Sequence, residues 1–408
     1  MPALRTILLA CVTATAAHAQ SSSSSLWLKE TFKSTKLGDD HTIYVATPAN
    51  YSGSAQRYPV LVILDANDEP QFTAAVANVA FLASRGAIPD LLVVGLTNGK
   101  DRTHELTPAA TGSTAKTFPT AGGAHAYTDF ILDELLPHVR SRYRTLPTTI
   151  LAGHSFGGLF ALDVAATRPG AFAGIIAMSP SLWWNDSTPA RDYATLIARS
   201  SVTTRLFATS GELEPPIDVT TKVFAARLDS IKPPTLAFAY HYYRDDTHGL
   251  TPQPSLIDGL RFVFEPIALT HTPIMALGPN TDSATVVKAI TESEATYARG
   301  AHSLGLPETF PEGQLNSFGY AVLQGLKMPN VAAWIFRKNV AAYPDSPNVY
   351  DSLGDALLAA GDSTGARTQF REARDVAVRE HKPPSQETLK KLDALDHAAV
   401  QAGKPKSP

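Results

Sequence analysis

Between residues 40 and 265, short runs of β-branched and apolar residues alternate with stretches whose apolar positions return every three to four residues. The runs at 42–45, 60–64, 91–96, 149–152, 174–178, 206–209 and 236–243 predict strands. Several are continuously apolar, the pattern of strands covered on both faces. Between them lie helical stretches such as 127–143, where Phe130, Ile131, Leu135 and Val139 share one face. Such alternation predicts an α/β fold: a doubly wound, mostly parallel sheet with helices on both sides. Sites in sheets of this kind lie at the carboxyl ends of the strands.

After residue 285 the strand pattern stops and helical spacing takes over. Leu315 to Tyr320 parallels Tyr350 to Asp355, and Ala332 and Phe336 parallel Ala366 and Phe370. In the second copy Tyr350, Leu353, Gly354, Leu357, Ala366, Phe370 and Ala373 fall on the spacing of a tetratricopeptide helix pair. The first copy departs by one residue at Gly319 and places Asn339 where a small residue is usual. The expectation is a small all-α tetratricopeptide-like domain over 285–400, with a plain helical bundle as the alternative. The Pro- and Thr-rich 266–284 reads as a linker.

The amino-terminal pattern differs again. Arg5 precedes an apolar stretch from Thr6 to Ala16, and Ala17-His18-Ala19 has the small-x-small form of a signal-peptidase site. Residues 1–19 are expected to be a signal peptide, with 20–26 a flexible Ser-rich mature terminus and export to the periplasm or outside as the consequence. Leu8-Leu9-Ala10-Cys11 is a minor alternative, a lipoprotein processing site. No later run of 18 apolar residues exists, so no membrane span is expected.

Composition sharpens this in two places. The 35 Lys and Arg against 38 Asp and Glu leave a net charge of −3, which argues against nucleic-acid binding by bulk charge. The one cysteine, Cys11, lies in the leader. A disulfide framework, a cysteine-rich metal site and a thiol nucleophile in the mature chain are thereby excluded.

The candidate chemistry begins at Gly153-His154-Ser155-Phe156-Gly157-Gly158, a G-x-S-x-G motif between a predicted strand and a predicted helix. That is the context of a nucleophile elbow, in which the serine takes a strained backbone conformation at a helix amino terminus. A serine nucleophile needs a base, and the base an orienting acid. His248, just after the last strand, is the best base. His154 sits inside the elbow and is expected to point away from the site; His241 is a strand residue, and His271 and His302 lie beyond the catalytic part. For the acid, Glu214 and Glu212 both follow the 206–209 strand, Glu214 being favoured, with Asp218 a weaker third; Asp245 and Asp246 read as a solvated turn. The oxyanion hole should use the Phe156 N–H and one from the loop after 60–64, at Ala66 or Asn67. Trp183 and Trp184 could wall a substrate or cap the core, and Arg102 could bind an anionic substrate group or pair with a nearby acid.

Residues 27–265 resemble the putative-esterase family of α/β-hydrolases, the enterochelin-esterase-like group. The resemblance is carried by Pro59 to Asp65, by Asn98, Arg102 and Leu106-Thr107-Pro108, by Gly122-Gly123-Ala124, by Ser179-Pro180-Ser181-Leu182-Trp183-Trp184, and by His248-Gly249 with Ser255 to Leu260. It implies an α/β-hydrolase esterase domain acting on siderophore lactones, acylated sugars, feruloyl esters or thioesters. Residues 285–380 resemble the tetratricopeptide tail that some members carry. The resulting expectation is a secreted serine esterase with a small-molecule ester substrate and no metal or organic cofactor. The helical tail offers a surface for a protein partner or for self-association. A protein-binding module on an inert hydrolase scaffold is the alternative.

Overall fold

The computed structural model describes residues 26–49, 51–52, 56–268, 274, 277–278 and 280–402. The leader, most of the serine tract and His271 lie outside these residues. Among the described residues, eight strands form one sheet in the order β1-β2-β4-β3-β5-β6-β7-β8. They are β1 Leu28–Lys33, β2 Asp40–Ala46, β3 Tyr58–Ile63, β4 Leu92–Leu96, β5 Thr145–His154, β6 Gly174–Met178, β7 Thr204–Leu213 and β8 Leu236–Thr247. From β4 onward neighbouring strands run parallel, while β1 and β2 add an antiparallel edge.

Strand β1 has no counterpart in the sequence reading. Its sequence, LKETFK, is polar and its residues are largely exposed. A sheet edge tolerates and even favours such charges, because they discourage pairing with other chains.

The interior strands owe their burial to period-two alternation between two apolar layers. In β5, Ile150 and Ala152 join one core and Leu151 the other; in β6, Ile176 and Met178 oppose Ile175 and Ala177. One face is covered by α4 Ala124–Phe130, which continues through a π-helical turn into α5 Leu136–Arg142, and by α6 Phe156–Thr167, α7 Trp184–Ala198 and α8 Ile217–Ile231. The other carries α1 Glu69–Ser84 and α9 Pro252–Val263. Two short helices, α2 Arg102–Leu106 and α3 Gly112–Thr117, follow β4.

The tail adds α10 Ser283–Ser303, α11 Glu312–Tyr320, α12 Pro329–Ala342, α13 Pro347–Ala359, α14 Ser363–Arg379 and α15 Gln386–Ala402. A Cβ at Gly319 would lie 2.2 Å from the Phe336 ring, and one at Gly354 would lie 2.5 Å from Phe370. The same close approach therefore recurs in both sequence copies. The segment read as a linker is anchored: Ile267 and Ile274 are buried in the core that joins the sheet to α10–α13. The Thr148 hydroxyl also donates to Leu304 and Gly305 carbonyls, fastening β5 to the end of α10. Among the described residues no helix is long and apolar enough to cross a membrane.

Candidate active site

Four adjacent parallel strands, β5 to β8, end side by side. Their carboxyl ends deliver Ser155, Ser179, Glu214 and His248 in that order. The ladder carries on past the strand ends: Ser155 N–H donates to Met178 O at 3.0 Å, and Ser179 N–H to Thr209 O at 3.1 Å. Neighbouring strand ends are thus locked before any side chain contributes.

Ser155 has φ 61° and ψ −116°, the strained conformation that the motif anticipates. Such a turn is held by close packing around Gly153, where a Cβ would lie 2.3 Å from Gly157 O. Ser155 stands at the amino terminus of α6, so Phe156 N–H has no intrahelical acceptor. The Ser155 hydroxyl lies 3.4 Å from Ser181 Oγ; no hydrogen bond joins it to His248.

Glu214 and His248 meet directly. Nδ1 of His248 lies 2.7 Å from Glu214 Oε2. The Glu214 side chain is almost wholly buried, whereas that of His248 is 37% exposed. The other carboxylate oxygen, Oε1, accepts from Ser179 Oγ at 2.8 Å and from Gly211 N–H. Ser179 also lies 2.8 Å from Thr251 Oγ1. The buried carboxylate is therefore paired on both oxygens, as a low-dielectric site requires.

The rival acids are engaged elsewhere. Glu212 is exposed and accepts from Asp245 N–H at 3.2 Å, while Asp218 faces Lys222 at 3.2 Å. His241 is exposed and packs its ring against Tyr243, and His302, on α10, bonds Glu308.

Other expectations change. Ala66 N–H already donates to Leu96 O at 3.1 Å, so it is not available to an oxyanion. Asn67 N–H makes no such bond, and its side chain accepts from Asn98 N–H at 3.3 Å. Trp184 is fully buried in the core and cannot wall a substrate. Trp183 is only partly buried and joins Phe118 and Phe156 in an aromatic surface with ring centroids 5.7–6.0 Å apart. Arg102 places Nε and Nη2 on Asp65 at 2.6 and 2.8 Å, and Asn98 adds a 2.8 Å bond to the same carboxylate. Its guanidinium thereby ties the Asp65–Asn67 loop to the elbow and is not free to take an anionic group by those two nitrogens. His154 does not point away: its ring lies 4.3 Å from that of His248.

Two residues to which the sequence reading gave no role stand out. Ser179, in a motif read for its tryptophans, supports the acid. Glu105, where the related motif carries Asp, is buried and accepts from Gly99 N–H at 3.0 Å. Burial first, with repulsion from Asp39 and Asp101, pushes its carboxyl up to about 7 against the pull of that hydrogen bond. A cavity of about 680 Å³ between the opposite strand ends and the tail, lined by Tyr58, Leu146, Tyr297 and Tyr343, contains none of these groups.

A parallel sheet covered on both faces, with a strained serine on the strand–helix turn and a carboxylate–imidazole pair at the next strand ends, defines an α/β-hydrolase. Residues 34–232, just under half of the chain, match the family model described as Putative esterase. Among its relatives is the siderophore triacetylfusarinine C esterase of Aspergillus fumigatus, 33% identical over 168 residues, covering 36% of this chain and 53% of that protein. Another is the ferri-bacillibactin esterase BesA of Bacillus subtilis, 29% identical over 191 residues, covering 42% and 65%. The chain thus spans between half and two thirds of the length of these relatives. The crystal structure of an IroE-like serine hydrolase from Shewanella oneidensis superposes with a TM-score of 0.62 at 25% identity, over 77% of this chain and 98% of that one.

Proposed function

We propose that the chain is a serine esterase that hydrolyses carboxylic esters through an acyl-enzyme. The observation that carries this reading is the 2.7 Å contact between His248 Nδ1 and a Glu214 whose remaining oxygen is already saturated. A carboxylate held in this way fixes the imidazole tautomer, leaving Nε2 as the proton acceptor.

In the first step the Ser155 hydroxyl turns from Ser181 toward His248 Nε2, gives up its proton and attacks the ester carbonyl carbon. The oxygen of the tetrahedral intermediate is met by Phe156 N–H and Asn67 N–H. As the intermediate collapses the carbon–oxygen ester bond breaks, and His248 returns the proton to the departing alcohol. Water then repeats the sequence on the acyl-enzyme and releases the acid.

For the substrate, ester-linked siderophores are favoured over acylated carbohydrates, because one relative is named a siderophore esterase and another a ferri-bacillibactin esterase. The Phe118, Phe156 and Trp183 surface suits a flat or apolar acyl group. We also propose that residues 1–19 direct export and are removed, leaving Gln20 first. Ser155→Ala should abolish release of p-nitrophenol from p-nitrophenyl acetate without altering circular dichroism. A panel of siderophore lactones and acetylated sugars then ranks substrates by kcat/KM.

A further inference from the structure

We propose that His154 is a positioning residue for His248: its ring, packed against the imidazole, keeps the base in the plane that Ser155 and Glu214 need. The proposal rests on the Ser155–His248–Glu214 reading above.

His248 lies on the loop after β8, and Glu214 grips it at Nδ1 alone. One hydrogen bond leaves a ring free to rock about that contact. The ring of His154 packs against it, centroids 4.3 Å apart and tilted by 37°, at a distance where aromatic pairs attract. Unlike His248, His154 belongs to the sheet: it ends β5, in register with Met178, and its carbonyl accepts from Arg102 Nη2 at 3.4 Å. A mobile base therefore rests on a fixed support, the arrangement that holds reacting groups in line.

The chemistry of His154 points the same way. Its Nε2 is buried with no hydrogen-bond partner. A buried polar atom left unpaired is unfavourable, and a purely apolar ring would avoid it. The ring is therefore not kept in place by a bond at Nε2; it is set against His248 by the ring contact and by a hydrogen bond to the His248 backbone. Burial above all, then the nearness of His248 and of Arg102, hold its pKa down at about 3 against the pull of Asp65 and of a hydrogen bond to the His248 backbone. His154 stays uncharged at any working pH. When His248 accepts the Ser155 proton it meets a neutral π face and not a second cation, while Glu214 supplies the countercharge.

The test compares His154→Ala, His154→Asn and His154→Phe in the full chain, using p-nitrophenyl acetate from pH 5 to 9 and thermal melting. Ala and Asn should lower kcat by about 10- to 100-fold with KM little changed, as expected for a misplaced base. Phe, which keeps the flat face, should restore kcat to within about threefold of the parent, a ratio within ordinary packing effects. Ala and Asn at parental kcat would overturn the proposal. So would a Phe variant that melts normally yet is as slow as Ala, since a ring nitrogen would then be at work. If Ala or Phe fails to fold, folded Asn decides by its kcat alone. A parent chain whose turnover survives Ser155→Ala refutes the triad reading itself. Ser155-dependent turnover indifferent to His154 refutes only this proposal.

Discussion

Ser179 Oγ donates to Glu214 Oε1 at 2.8 Å, on the carboxylate oxygen that His248 leaves free. The two residues come from adjacent strand ends, β6 and β7, and Ser179 is itself held by Thr251. Ser179→Ala should lower kcat by about 10-fold while leaving KM unchanged, because Glu214 loses one of its two Oε1 donors but keeps its charge. Steady-state kinetics on a p-nitrophenyl ester check this; an unchanged kcat would mean that Gly211 N–H suffices.

Glu214→Gln removes the charge that stabilises the imidazolium and should cost about 10²- to 10⁴-fold in kcat, the range for loss of a triad acid. Glu212→Gln should change kcat less than about twofold, since its carboxylate meets only the Asp245 N–H at the surface. Parallel assays of the two variants give the comparison; equal losses would reassign the acid.

The two tryptophans should separate cleanly. Trp184→Ala empties a fully buried site and should destabilise the fold by about 3 to 5 kcal/mol, read by urea denaturation. Trp183→Ala, partly exposed beside Phe156, should leave stability within about 1 kcal/mol and raise KM for bulky acyl esters.

Glu105 makes stability depend on pH. Its folded pKa of about 7 lies above its ordinary 4.5, so the folded chain binds the proton more tightly than the unfolded one. The sign follows: stability falls as pH rises from about 4.5 through 7, and the full cost is present above that window. Glu105→Gln keeps an acceptor for Gly99 N–H without the charge. It should be about 3 kcal/mol more stable than the parent at pH 8 and equal to it at pH 4, an amount set by the size of the shift. Urea titrations at the two pH values test this; a gain at pH 4 as large as at pH 8 would exclude the titration.

Much of this was readable in the sequence because it depends on chain order and local pattern. The apolar runs marked seven of the eight strands, and the elbow, the late histidine and a glutamate between them follow the order that strand ends impose. What escaped depends on neighbours that only the folded sheet supplies. Ala66 and Asn67 are adjacent in sequence, and the Leu96 carbonyl across the sheet decides which N–H is free. Ser179 matters because β6 ends beside β7. His154 meets His248 across the strand ends, a proximity that no local pattern shows. Strand β1 was hidden by charges that a sheet edge welcomes.

The most direct test of the central claim is covalent labelling of the full chain with a fluorophosphonate, followed by peptide mass spectrometry. A nucleophilic Ser155 activated by His248 should carry the adduct, and His248→Ala or Glu214→Gln should slow labelling by orders of magnitude. Labelling at another serine, or at Ser155 with an unchanged rate in both variants, would contradict the account.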